Sequence, residues 1–269
     1  MPPIDPAVLR ARAQALAELL ANPAAAAAGV RALLSDYADR THRASPRVAT
    51  SQVENTYKTA PPVLRTLVTA LRGPARANPP ATLALAQALW AGGSREERRL
   101  AAELLGAVAP LAPAETLALV EGFAARIESG ATADALAEQA LGGLARADPA
   151  AHLVYAQRWI THPNHWARRF AVALLWPLVK DKHWDNVPGA LRVLGPVMQE
   201  PDGEVRRAVA DVLAHLARKS PAEISRFLLD QATRSHNTHT HWIVRNALSS
   251  ALTTLGPEDQ AAIVRALRA

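Results

Sequence analysis

The side chains best suited to chemistry in this chain are arginines at regular spacing, interrupted once by a carboxylate. Arg99, Arg169, Arg207 and Arg245 each enter an Ala/Leu/Val-rich run at the same point. From 99 to 169, 169 to 207 and 207 to 245 the intervals are 70, 38 and 38 residues. Asp134 opens a matching run, Asp134-Ala-Leu-Ala-Glu-Gln-Ala140, halfway through the longest interval. Arg98, Arg168 and Arg206 accompany three of the arginines. A row of guanidinium groups suits a phosphate backbone, because each offers a planar fork of donors and keeps its charge. Such contacts position a nucleic acid without reading its sequence. The competing reading is structural: each arginine bridges neighbouring helix repeats, with its stem packed on apolar surface. A lone carboxylate among these cations suits stabilisation of positive charge on a substrate or transition state. Its alternative is a salt bridge between repeats.

Aromatic and imidazole side chains cluster late in the chain. Trp159, Trp166, Trp176, Trp184 and Trp242 lie in the second half, as do eight of the nine histidines. Trp166, beside Arg168 and Arg169, is a candidate to stack on a base or hold a cation. Trp176 continues an apolar run and reads as core. His236, His239 and His241 have a spacing compatible with a metal, but no carboxylate accompanies them. The expectation is a polar loop in which Thr238 or Thr240 caps the next helix. Gly-rich phosphate loops, G-x-S-x-G and H-E-x-x-H are absent. The chain also has no cysteine, which excludes disulfides, a thiolate nucleophile and Cys-based zinc sites. No metal or organic cofactor is expected.

The elements that must carry these residues are helices. Hydrophobic residues make up 49% of the 269 residues but aromatics only 4%, so Ala, Leu and Val supply the apolar mass. Caps and prolines separate the apolar runs at Asp148-Pro149, Pro163-Asn164, Pro201-Asp202-Gly203 and Gly256-Pro257. Ser94-Arg-Glu-Glu97 and Ser220-Pro-Ala-Glu223 read as capping boxes. Val205, Val209, Val212, Leu213 and Leu216 keep helical spacing, and no segment alternates as a strand would. Helix pairs recurring every 35 to 40 residues indicate an all-α fold, a right-handed α-solenoid of HEAT-like helix pairs. Residues 61–269 form the repeat array and residues 1–60 an N-terminal helical capping region. Within that cap, 6–21 and 30–40 read as helices, Ala24–Ala28 as low complexity, and 41–60 as largely irregular.

The formal charge of +6 and a pI near 10.3 favour an anionic partner, although an Arg/Ala/Pro-rich composition alone does not identify one. The N-terminus lacks the pattern of a signal peptide, and no long uncharged apolar stretch occurs. A soluble, cytoplasmic monomer is expected.

Several stretches resemble the AlkD-type alkylpurine DNA glycosylases, a DNA-alkylation-repair family built from HEAT-like repeats. The most specific is Trp159-Ile-Thr-His-Pro-Asn164-His-Trp166-Ala-Arg168-Arg169, similar to the family segment in which N-x-W-x-R-R opens a central helix. Ala88-Leu-Trp90 followed by Arg95-Glu96-Glu97 and Ala101-Ala102 is similar to a second family pattern. Tyr57-Lys-Thr-Ala-Pro61-Pro62-Val-Leu-Arg65 looks like the loop before its first repeat. The resemblance spans roughly residues 57 to 269.

The resemblance implies hydrolysis of the N-glycosidic bond of cationic alkylated purines in double-stranded DNA. Such a base departs as a neutral molecule, so no strong general acid is needed. It implies that Asp134 is the catalytic aspartate and that Arg169 binds phosphate. Arg99, Arg168, Arg206, Arg207, Arg245 and Trp166 complete the expected DNA-binding set. It further implies that the backbone around the lesion is held without flipping the base into a pocket, unlike most enzymes acting on DNA bases. Two positions depart from the family pattern: its tryptophan four residues before the aspartate is Gly130 here, and another falls at Asp211. The alternatives are a non-catalytic relative binding damaged or branched DNA, and a HEAT scaffold for a protein partner.

Overall fold

The chain begins its helices where short polar side chains meet proline. In this computed structural model, which describes residues 4–39 and 55–268, Asp5 caps α1 (Pro6–Glu18) and Asn22 caps α2 (Pro23–Asp36). The next helices are α3 (Pro61–Ala77), α4 (Pro79–Gly92), which is capped by Asn78, and α5 (Arg95–Val108), followed by α6 (Pro113–Ala124). Then come α7 (Gly130–Ala135), a π-helical turn over Leu136–Ala140, and α8 (Gly142–Ala147). Asp148 caps α9 (Pro149–Trp159), and α10 (His165–Ala173), α11 (Trp176–Lys180) and α12 (Val187–Leu194) follow. The last are α13 (Gly203–Ala217), α14 (Pro221–Arg234), α15 (Thr238–Ser250) and α16 (Pro257–Ala266). At Asp5, Asn22, Asn78 and Asp148 the side-chain oxygen accepts a first-turn amide. The proline that follows has no amide to leave orphaned there. No strand occurs among the described residues.

The helices cluster into two compact units, Met1–Leu144 and Ala145–Ala269. Within the first, α1, α3, α5 and α7 with its π turn pack in sequence as one layer, and α2, α4 and α6 as a second. Within the other, α10, α13 and α15 form one layer, and α9, α12, α14 and α16 the other. Packing alternate helices side by side is how a helix pair covers an apolar face that it cannot bury alone. The cores follow the composition: Leu67, Leu71, Leu85, Leu89, Leu100 and Leu105 are fully buried in the first unit, and Phe170, Val209, Leu213 and Ile243 in the second.

Several local expectations are borne out. Ser94 and Glu97 form a reciprocal capping box, and Asn164, Asp202 and Gly256 stand at N-caps. Others need correction. Ser220 is the N-cap of α14, but its side chain makes no capping hydrogen bond. Asn237, rather than Thr238 or Thr240, caps α15 and accepts from the amides of His239 and Thr240. The second helix starts at Pro23 and not near residue 30, because Asn22 caps it and the alanine run 24–28 is helical. Residues 55–60 are irregular as expected, while 41–54 lie outside the described residues. Among the described residues no helix is long and apolar enough to cross a membrane.

A candidate nucleic-acid interface

Neighbouring arginines at the start of each helix meet different surroundings. Arg98 on α5 donates to Glu128 at 3.2 Å and lies over the Trp90 ring, 5.6 Å from its centroid. Arg168 on α10 forms a bidentate pair with Glu200, both bonds at 2.7 Å. Its Nη1 also donates to the carbonyls of His162 and Pro163, at 2.8 and 2.9 Å. Four of its donor hydrogens are therefore used inside the protein, out of the five that guanidinium offers. Arg206 on α13 engages His239 and lies over Trp242, 5.2 Å from the ring centroid. All three bridge from one helix pair to the next, which is the structural reading of the ladder. Arg168 and Arg206, both expected in the DNA-binding set, thus have partners inside the protein.

One residue on, about 100° around the helix, the exposure changes. Arg99, Arg207 and Arg245 are exposed. Arg207 is also paired with Glu204 on its own helix. Arg169 is more enclosed, donating to the Glu204 carbonyl at 3.0 Å and to the Glu204 carboxylate at 3.2 Å. In the second unit Arg169, Arg207 and Arg245 stand on α10, α13 and α15, which pack consecutively in one layer.

Asp134 lies in the first unit, on α7. Ser129 caps that short helix, accepting the Thr132 amide at 3.2 Å. Beyond Asp134 the chain widens into the π turn, a feature that recurs at functional sites. The turn packs against α5 at Gly106, where a β-carbon would collide with the Gln139 carbonyl oxygen. This approach sets Asp134, Glu138 and Gln139 around a cleft of about 260 Å³, facing Arg95 and Arg99 of α5. Asp134 and Arg99 were both expected at the site, and they line the same cleft. Arg95 and Glu138 were not singled out as site residues. Their signals were positions four residues before Arg99 and four after Asp134, the spacing of one helix face.

The residues flanking Arg95 are structural. Buried Glu97 completes the capping box and accepts from Arg31 Nε at 2.7 Å. Buried Glu96 accepts from the Thr56 hydroxyl and from the amides of Tyr57 and Thr59, pinning residues 56–59 to the start of α5. Lys58, at the crest of that loop, has a φ of 54°, a left-handed conformation unusual for a lysine.

The tryptophans mostly pack. Trp90 stacks on Phe123 with centroids 4.2 Å apart, and Trp159 meets Phe170 edge-on at 5.8 Å. Trp184 is buried, and Lys219, which lies over its ring, donates to the Trp184 and Asp181 carbonyls. Trp176 is only half-buried, with its ring edge-on to His215 at 4.7 Å. Trp166 is half-buried on the first turn of α10, beside the His165 ring at 4.4 Å. Gly130 is the first residue of α7, and Asp211 is an exposed position of α13. Of the three late histidines, His239 is engaged by Arg206 and His241 by the Ser235 carbonyl. Among the described residues no cluster of His, Asp and Glu is arranged to hold a metal.

A family model described as DNA alkylation repair enzyme matches residues 30–250. None of the curated proteins matches the chain.

Proposed function

The chain belongs to the DNA alkylation repair enzyme family, and from that premise we propose that it is a glycosylase hydrolysing the N-glycosidic bond of cationic alkylated purines in duplex DNA. The observation that carries this reading is the cleft of the first unit, where Asp134 faces Arg95 and Arg99. In an alkylpurine bearing a positive charge, the electron pair of the glycosidic bond leaves with the base, which departs neutral. The positive charge moves to the sugar as an oxocarbenium ion, and water then adds to C1′, releasing a proton. A fixed carboxylate stabilises that migrating charge where it develops. Guanidinium groups beside it would oppose this if left alone with it. Anchored on the phosphates flanking the lesion, Arg95 and Arg99 instead hold the DNA while the Asp134 charge serves the sugar.

In the same reading, Arg99 of the first unit and Arg169, Arg207 and Arg245 of the second contact the phosphate backbone, with Trp166 available for stacking. Arg98, Arg168 and Arg206 brace the helix pairs, which we read as HEAT-like repeats. Duplex DNA carrying 7-methylguanine tests the proposal through release of free base. The wild type should release it, and Asp134→Asn should lower release by at least about a hundredfold, as removal of a transition-state charge contact does elsewhere. Equal release by the two proteins would remove Asp134 from the chemistry.

A second reading is favoured by Gly130 and Asp211, which leave two positions without the aromatic walls the resemblance leads one to expect. Each missing aromatic contact forgoes about 1–3 kcal/mol of stacking. A chain without that stabilisation could bind altered DNA and release nothing. Salt-sensitive binding with no base release in the same assay would establish this relative without the chemistry.

A further inference from the structure

Asp134 has a neighbour one turn away on either side, and the two differ in what they offer a charged sugar. Four residues earlier stands Gly130, with no side chain where the resemblance leads one to expect an aromatic wall. Four residues later stands Glu138, within the π turn. Residues four apart are neighbours on a helix surface, with β-carbons about 5–6 Å apart. Asp134 and Glu138 are both half-buried, and both line the cleft of about 260 Å³ opposite Arg95 and Arg99. Two cations therefore meet two carboxylates around this cleft. With Asp134 alone the lining would be net positive and would oppose a cation at its centre. Glu138 brings it to balance, and phosphates held by the two arginines leave both carboxylates to a positive charge between them.

We propose that Glu138 is a second catalytic carboxylate, acting with Asp134 on the positive charge that develops at the sugar. The inference deepens the glycosylase reading and rests on it. As the bond from C1′ to the base nitrogen breaks, its electron pair leaves with the base, and the charge passes to C1′ and the ring oxygen. Neither carboxylate bonds to the sugar. The bond that forms joins C1′ to a water oxygen, and the proton of that water goes to solvent. Enzymes that cut O-glycosides also flank the scissile bond with two carboxyl groups, one of them protonated to assist the leaving group. A base that is already cationic needs no such proton, so both groups serve here as anions. The π turn gives Glu138 its place. The carbonyl of the next residue, Gln139, abuts Gly106 and so fixes this backbone against the helix that carries Arg95 and Arg99. Glu138 thereby supplies by charge part of the stabilisation that Gly130 does not supply by stacking.

The test compares two fluorescein-labelled duplexes that differ at one abasic nucleotide. One carries a pyrrolidine, whose protonated ring nitrogen mimics the sugar cation, and the other a neutral tetrahydrofuran. Fluorescence anisotropy gives the ratio of their dissociation constants for wild type, Glu138→Gln, Glu138→Asp and Asp134→Asn. Glu138→Gln should lower the preference for the cationic duplex about tenfold, the effect of one unit charge roughly 6 Å away at an effective dielectric constant of about 40. Affinity for the neutral duplex should stay near the wild-type value, which a merely structural role for Glu138 would not predict. Glu138→Asp, which keeps the charge, should retain most of the preference. Single-turnover release of 7-methylguanine should fall in Glu138→Gln by at least the same factor. An unchanged preference or an unchanged rate in Glu138→Gln overturns the second carboxylate. If Asp134→Asn still abolishes release in that case, the glycosylase reading stands without it. No release by the wild type overturns that reading and the catalytic role of Glu138 together.

Discussion

Arg168 on α10 and Arg245 on α15 stand on helices of one layer, yet their removal should have opposite consequences. Glu200, the partner of Arg168, has a side chain only 3% exposed, and its hydrogen bonds raise the Arg168 pKa above its ordinary value. Arg168→Ala would leave that carboxylate buried without its partner, a loss of about 3–5 kcal/mol. Chemical denaturation should therefore show a marked fall in stability. Arg245 is exposed, so Arg245→Ala should change stability by no more than about 0.5 kcal/mol while weakening DNA binding in anisotropy. Arginines of one repeat spacing can play these different roles because each helix turns its side chains onto its own neighbours. Spacing located the arginines, but it could not separate bridges from ligands, since both need the same residue type at the same period.

His152 gives a second prediction at the level of single residues. It is buried, with Nε2 2.8 Å from the Leu174 carbonyl. Burial lowers its pKa below the ordinary 6.5, outweighing the upward effect of the carbonyl. The unfolded chain therefore takes up a proton at a higher pH than the folded one does. The stability from neutral His152 is complete above about pH 6.5 and is lost as the pH falls toward the lower folded-state value. Thermal unfolding should show a lower Tm at about pH 5 than at about pH 7, with a smaller difference in His152→Gln.

Among elements, the π turn after Asp134 matters most for the candidate site. Its contact with α5 depends on Gly106, where even a methyl group meets the Gln139 carbonyl. Gly106→Ala should cost about 1–3 kcal/mol through overpacking. It should also reduce base release by more than its stability loss explains, because the carboxylate is moved from α5. Measuring release well below the unfolding temperature separates the two effects. The helices around this turn were largely legible, because Asp148-Pro149 or Ser94-x-x-Glu97 states a helix start in local terms. The miss at Thr238 arose among several nearby side chains able to cap, where the final backbone direction selects Asn237, whereas Ser220 stands at the N-cap position without its hydroxyl bonding. No local pattern announced the π turn. It depends on the fit of residues 136–140 against α5, some thirty residues earlier in the chain.

For the whole molecule, the charge of +6 sets the scale of its affinity for a polyanion. Phosphate contacts from Arg99, Arg207 and Arg245 alone predict a slope of about −2.7 for log K against log salt. A slope near zero would mean that the basic excess does not contact phosphate. The all-helical class, the recurring helix pairs and the positions of Asp134 and Arg99 are written in the sequence, since helix caps, apolar periodicity and repeat spacing are local or periodic properties. Tertiary structure decided which arginines brace the protein, and that Glu138 and Arg95 join Asp134 in one cleft. Those outcomes depend on side chains from distant helices sharing a volume, and one-dimensional spacing carries no record of what lies across the gap.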